Sequence, residues 1–151
     1  MGSRSMIERL RILLGVCMAA AGVAGTGAWA GEDLPANLHC TFDAGASGTY
    51  EAGSFASKTP TPLSFDIDAV DLEAQSAILN AGADGKGGKL NVVRAINANH
   101  FLEAVNEGFL NLTTVYEKDA ATGKYPAVHS RHFGLLGQPV FGQYTGFCTP
   151  K

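Results

Sequence analysis

The sequence predicts an all-β domain, a small antiparallel β-barrel of eight or nine short strands, with a β-sandwich as the alternative. Three observations carry that expectation. Short runs alternate apolar and polar residues with a period of two, as in Leu63-Ser64-Phe65-Asp66-Ile67-Asp68. Stretches rich in Gly, Asn and Asp separate these runs at short intervals, with no crossover helix between them. Cys40 and Cys148 stand near the two ends of the alternating region, where a bridge would hold the first and last strands together. A chain of 151 residues, 46% of them apolar, is enough for one ordinary domain with a core.

Residues 37–43 (NLHCTFD) read as the first strand and residues 44–49 as a Gly/Ser/Ala loop. Leu63 to Asp68 forms the next strand; Val70-Asp71-Leu72 resumes the alternation after a shift of phase at Ala69, which a β-bulge would produce. Residues 73–76 turn, Ala77 to Leu79 returns, and residues 80–88 (NAGADGKGG) make a loop without an apolar anchor. Lys89 to Ala95 is a strand with β-branched residues at its centre. Residues 98–105 and Phe109 to Tyr116 flank Asn106-Glu107-Gly108, a turn that joins two strands, although residues 98–105 could instead make two helical turns capped by Asn97. Residues 118–124 turn again, Ala127 to Phe133 follows, and Gln143 to Cys148 closes the domain. No internal repeat and no linker divides residues 31–151, whose ordered core is expected over residues 36–149.

The first thirty residues read differently. Arg4, Arg9 and Arg11 precede an apolar run over residues 12–24, and Ala28-Trp29-Ala30 follows. A basic start, an apolar middle and an A-x-A ending make a secretory signal peptide cut after Ala30. The run is shorter than the roughly 20 residues a membrane-spanning helix needs, so no membrane span is expected after cleavage. Val16 before Cys17 does not fit a lipoprotein signal. The expected location is therefore the periplasm or the exterior of a bacterial cell, where Cys40 and Cys148 would form a disulfide. Cleavage removes three of the 11 basic and one of the 14 acidic residues, leaving eight against thirteen and a net charge of −5. No stretch concentrates Lys or Arg, which argues against nucleic acid as a partner.

The motif search returns absences. A P-loop ending at Gly88-Lys89 would need glycine where Ala83 stands and a hydroxyl where Leu90 stands. The acids of Asp66 to Asp71 lack the glycine and glutamate of a calcium loop. His129 and His132 are three apart, so a regular strand points them to opposite faces; a metal centre would need His39 or His100 folded onto one of them. No Gly-x-Ser-x-Gly elbow is present, and Ser130 beside His129 is only a sequence neighbour. Neither a metal nor another cofactor is expected.

Three segments stand out as a set: Thr113-Thr114-Val115-Tyr116, Ala127-Val128-His129-Ser130-Arg131-His132 and Gly142-Gln143-Tyr144-Thr145-Gly146-Phe147-Cys148. Over residues 88–148 this set resembles a pattern in short exported β-rich proteins of Gram-negative bacteria, a resemblance that implies an exported β domain and brings no catalytic residues. In size, signal peptide and terminal cysteines the chain is also loosely similar to the periplasmic inhibitors of C-type lysozyme. Those present a Ser-Gly-x-x-Tyr loop, whereas Ser47-Gly48-Thr49-Tyr50 is one residue short and falls in the expected early loop.

The residues that carry the functional expectation are His129, Arg131 and His132. Alternation puts Val128, Ser130 and His132 on one face and His129, Arg131 and Phe133 on the other. Burying the second set encloses an arginine that cannot shed its charge, which calls for a carboxylate, Glu103 first and Glu117 as the other candidate. An arginine left free of them can hold a ligand carboxylate through two parallel bonds, with Thr113 or Tyr116 opposite. The expected function is a non-catalytic periplasmic binding module for a small ligand or a protein partner. A hydrolase built on His129, Arg131 and His132 and an inhibitor-like protein are the alternatives.

Overall fold

The structure, a computed structural model, describes residues 34–80, 88–105 and 108–151. The expected signal peptide, most of the glycine-rich loop and the Asn106-Glu107 turn lie outside the described residues. The described residues form nine strands: β1 (Leu38–Glu51), β2 (Ser54–Lys58), β3 (Leu63–Asp71), β4 (Ser76–Asn80), β5 (Gly88–Arg94), β6 (Ala98–Val105), β7 (Phe109–Tyr116), β8 (Tyr125–Leu135) and β9 (Gln138–Pro150). Among the described residues there is no helix, and so none long and apolar enough to cross a membrane. Residues 98–105 are the strand β6, paired to β5 and β7, and not the helical turns that Asn97 could cap.

Consecutive strands pair antiparallel from β3 to β9, and β9 then pairs with β1 from Leu38↔Pro150 to Thr49↔Val140. This last pairing closes the sheet into a ring. β1 shares its other edge between two partners, Leu38–Phe42 with β3 and Ser47–Glu51 with β2. The ring thus has eight strands, with β2 continuing the wall above β3. Closure pairs the two edges that β1 and β9 would otherwise leave open. Both chain ends of the domain and Cys40–Cys148 lie at one end of the ring, here the lower. The β1–β2, β6–β7 and β8–β9 hairpins lie at the upper end.

The stretch expected as a loop, residues 44–49, is strand. A bulge between Phe42 and Ala44 moves the register by one, after which β1 continues between β2 and β9. Small residues there reflect close packing. A Cβ on Gly48 would stand 2.5 Å from the Ala56 carbonyl oxygen and 2.6 Å from the Phe141 ring. Composition that usually marks a loop here marks a crowded wall. The second bulge falls where the sequence places it: the β3–β4 register shifts between Asp68 and Asp71, with Ala69 in the left-handed region at φ 50°.

The ring's interior follows from alternation. Leu38, Cys40 and Phe42 from β1, Phe65 and Ile67 from β3, Leu90 and Val92 from β5, Phe101, Val115 and Ala127 all point inward and are buried. Cys40 and Cys148 are directly opposite across β1 and β9 and form the disulfide, with Cα atoms 4.0 Å apart.

Candidate functional site

β8 lies between β7 and β9, and its side chains divide as alternation requires. His129, Arg131 and Phe133 face the interior. His132 is on the outer face and exposed, opposite Leu110 on β7 and Phe141 on β9. Two of the three expected site residues are therefore brought together, and the wall of the barrel stands between them and the third. The registers build two inward rungs across four strands each. Phe101, Thr113, His129 and Tyr144 form one; Glu103, Asn111, Arg131 and Gly142 form the next one up.

His129 is enclosed by the Phe42, Phe65 and Tyr144 rings, at centroid distances of 5.7, 5.1 and 5.9 Å. Its Nδ1 is 2.8 Å from the Thr113 hydroxyl. Burial pushes its pKa down from 6.5 to about 4, helped by the positive charge of Arg131. At neutral pH it is an uncharged polar group inside an aromatic box.

Arg131 is half-buried, and its Nε is fully enclosed without a hydrogen-bond partner. The carboxylate expected to hold it is otherwise engaged. Glu103 accepts a 2.6 Å hydrogen bond from Asn111 Nδ2, and no described acid pairs with Arg131. The reason is spacing. β7 lies between β6 and β8, which sets Glu103 and Arg131 two strands, or roughly 9.5 Å, apart. Asn111 fills that gap, directly opposite both. The Asn111 Oδ1 is also enclosed and without a partner. The other expected neighbours lie elsewhere: Thr113 faces His129, Tyr116 is exposed at the lower end of β7, and Glu117 follows it. Gly88 opens room for the Glu103 carboxylate, since a Cβ there would stand 2.7 Å from Glu103 Oε1.

Above this rung the interior turns apolar again. Phe133 stacks on Phe109 with centroids 5.0 Å apart. An open groove of about 750 Å³ lies mainly on the outer face, along Leu110, His132, Phe141 and Phe55, and meets Phe133 and Val140 at the upper rim. The remaining histidines are on the outer wall, His39 against Asp66 at 2.6 Å and His100 against the Thr114 hydroxyl at 2.9 Å. Among the described residues no three His, Cys, Asp or Glu side chains gather as a metal site would require. Ser47-Gly48-Thr49-Tyr50 lies within β1, with Ser47 to Thr49 paired on both edges and Tyr50 paired to β2, and not in a loop.

Asn111 and Tyr144 escape sequence reasoning. Asn111 sits in no motif, Tyr144 lies in the Gly142 to Cys148 segment without a role attached to it, and only the register of β7 with its two neighbours shows that Asn111 separates an acid from an arginine. Compared with family models, curated proteins and solved structures, the chain matches none.

Proposed function

We propose that residues 31–151 are an exported periplasmic binding module, and that the upper half of the ring takes a small carboxylate ligand without transforming it. One observation carries this reading: Arg131 Nε and Asn111 Oδ1 are enclosed, adjacent and unpartnered. An enclosed donor or acceptor left unpaired costs about 1–3 kcal/mol, and more for an ion, so the pair favours any occupant that satisfies both. A carboxylate accepts from the guanidinium side-on through two parallel bonds. A hydroxyl or amino group next to that carboxylate donates to Asn111 Oδ1. Together these select a small hydroxy or amino acid. The three-part N-terminal segment and the Cys40–Cys148 bridge support export into an oxidising compartment.

A hydrolase at this rung has less support. His129 is enclosed and neutral, and His132 is outside the ring.

The test is the melting temperature of the bridged domain with lactate, malate, serine and glutamate at millimolar concentration. At least one should raise it, the added stability being about 2.7 kcal/mol where the ligand stands at a hundred times its Kd, and the rise should vanish in Arg131→Met. A panel that shifts neither protein removes the proposal.

A further inference from the structure

On the outer wall of the ring, β1 and β3 assemble Ser64, His39 and Asp66 in the order of a nucleophile, a base and an orienting acid. From this geometry we propose that Ser64 is a reactive nucleophile that accepts acyl groups from esters or thioesters with good leaving groups. The proposal is independent of ligand binding inside the ring.

The register explains how the three meet. His39 on β1 is directly opposite Asp66 on β3, and Ser64 lies two residues along β3, on the same outer face. The His39 Nδ1 is 2.6 Å from Asp66 Oδ1, and Ser64 Oγ is 3.4 Å from His39 Nε2. A carboxylate can only accept, so Asp66 fixes the imidazole proton on Nδ1 and leaves the Nε2 lone pair facing the serine hydroxyl. The Oγ–Nε2 distance is long, as is common where no substrate is bound. Asp66 is itself held in place: Lys151 Nζ lies 2.6 Å from Oδ2 and holds its carboxyl below the usual carboxylate range, with His39 contributing in the same sense.

The other histidines sharpen the inference. Three of the four meet a hydroxyl: His39 meets Ser64, His100 meets Thr114 and His129 meets Thr113. Only His39 also has a carboxylate among the described contacts, on the nitrogen away from the hydroxyl. It is also exposed enough, at 48% of its side chain, for a substrate to approach. His129 has neither an acid nor access.

The chemistry balances within these groups. Ser64 Oγ bonds to the acyl carbon as its proton passes to His39 Nε2. The bond to the leaving alkoxide or thiolate breaks, and that group takes the proton from His39. Water then attacks the acyl-serine, giving its proton to His39; Ser64 recovers a proton as the carboxylic acid leaves. Backbone N–H groups here serve the sheet ladder and not a developing oxyanion, which restricts the donor class to esters and thioesters that leave readily.

The experiment treats the bridged domain with p-nitrophenyl acetate and, separately, a fluorophosphonate, and maps adducts by mass spectrometry. One adduct on Ser64 is expected, absent in Ser64→Ala and formed about 100-fold more slowly in His39→Ala. His100→Ala, which breaks a hydroxyl–imidazole pair lacking an acid, should label at the parental rate. Asp66 is a positioning residue. Asp66→Asn should slow labelling and remove the downfield His39 Nδ1–H proton resonance, while Asp68→Asn, at a second contact of Lys151, should do neither. No adduct on Ser64, or labelling of Ser64 as fast in His39→Ala as in the parent, overturns the proposal. None of these variants touches Arg131, so ligand binding in the ring is read separately.

Discussion

The ring encloses different chemistry at its two ends. Below, Leu38, Cys40, Phe42, Phe65, Ile67 and Cys148 pack against one another and the disulfide joins the seam between β1 and β9. Above, inward positions of β6, β7 and β8 hold Glu103, Asn111 and Arg131, two of which keep an enclosed atom without a partner. His129 and Thr113 stand on the boundary, paired with each other and walled in by rings. The lower end is built for stability. The upper end gives some of it up, because enclosed polar atoms there are left unpaired.

The largest effect should come from breaking the lower end. Cys40 and Cys148 are 108 residues apart, and a loop of about 100 residues contributes about 4.7 kcal/mol in the chain-entropy account. The Cys40→Ala/Cys148→Ala double variant should therefore melt on the order of 15 °C below the oxidised parent. Equal melting temperatures for the oxidised parent and the double variant would show that the ladder alone holds the seam.

A smaller effect tests the boundary. The folded pKa of His129 is depressed to about 4 from an ordinary 6.5, so between these values the unfolded chain binds a proton that the folded chain refuses. Stability from this group is complete above about pH 6.5 and is lost as the pH falls toward 4, a change of about 3 kcal/mol. Urea denaturation at a series of pH values should show that slope, and His129→Leu should flatten it. A parent protein equally stable at pH 4.5 and pH 7 would show that His129 takes its proton inside the fold.

How much of this was legible follows the same division. The strands with clean alternation, from Leu63 to Asp68 and from Phe109 to Tyr116, stand where the sequence put them, as do the bulge at Ala69 and the pairing of Cys40 with Cys148. These rest on local periodicity and on compartment chemistry, which a single sequence displays. Residues 44–49 read as a loop from sequence because glycine and serine signal a turn, and it is the packing of Phe141 and Ala56 against Gly48 that makes them strand. β2 leaves no signal in the sequence because Ser54–Lys58 is exposed throughout and has no buried face to set a period. The faces of His129, Arg131 and His132 followed from alternation, but the partner of Arg131 did not. Glu103 and Arg131 are 28 positions apart, and only the register places Asn111 between them. Ser64, His39 and Asp66 were hidden likewise, since two are neighbours along a strand and the third is 25 residues earlier.

The smallest effect is expected at Arg131, and there the two ends differ most sharply. Had Glu103 held the guanidinium, cutting the pair from one side would cost about 3–5 kcal/mol. With Glu103 bonded to Asn111 and Arg131 Nε unpartnered, the charge is half-buried without compensation. Replacing it by methionine keeps the aliphatic stem and discards the ion, so Arg131→Met should change stability by about 1 kcal/mol or less, in either direction. It should also leave a signature at the neighbouring rung. Arg131 is the second cause of the depressed His129 pKa, after burial, so its removal should let that pKa rise and reduce the stability lost on acidification. A double-mutant cycle of Arg131→Met with His129→Leu at pH 5 measures this directly: Arg131→Met should be more favourable in the parent than in the His129→Leu background. A loss of several kcal/mol in Arg131→Met at pH 7 would instead place a carboxylate on the guanidinium, and would move the upper end of the ring into the same class as the lower.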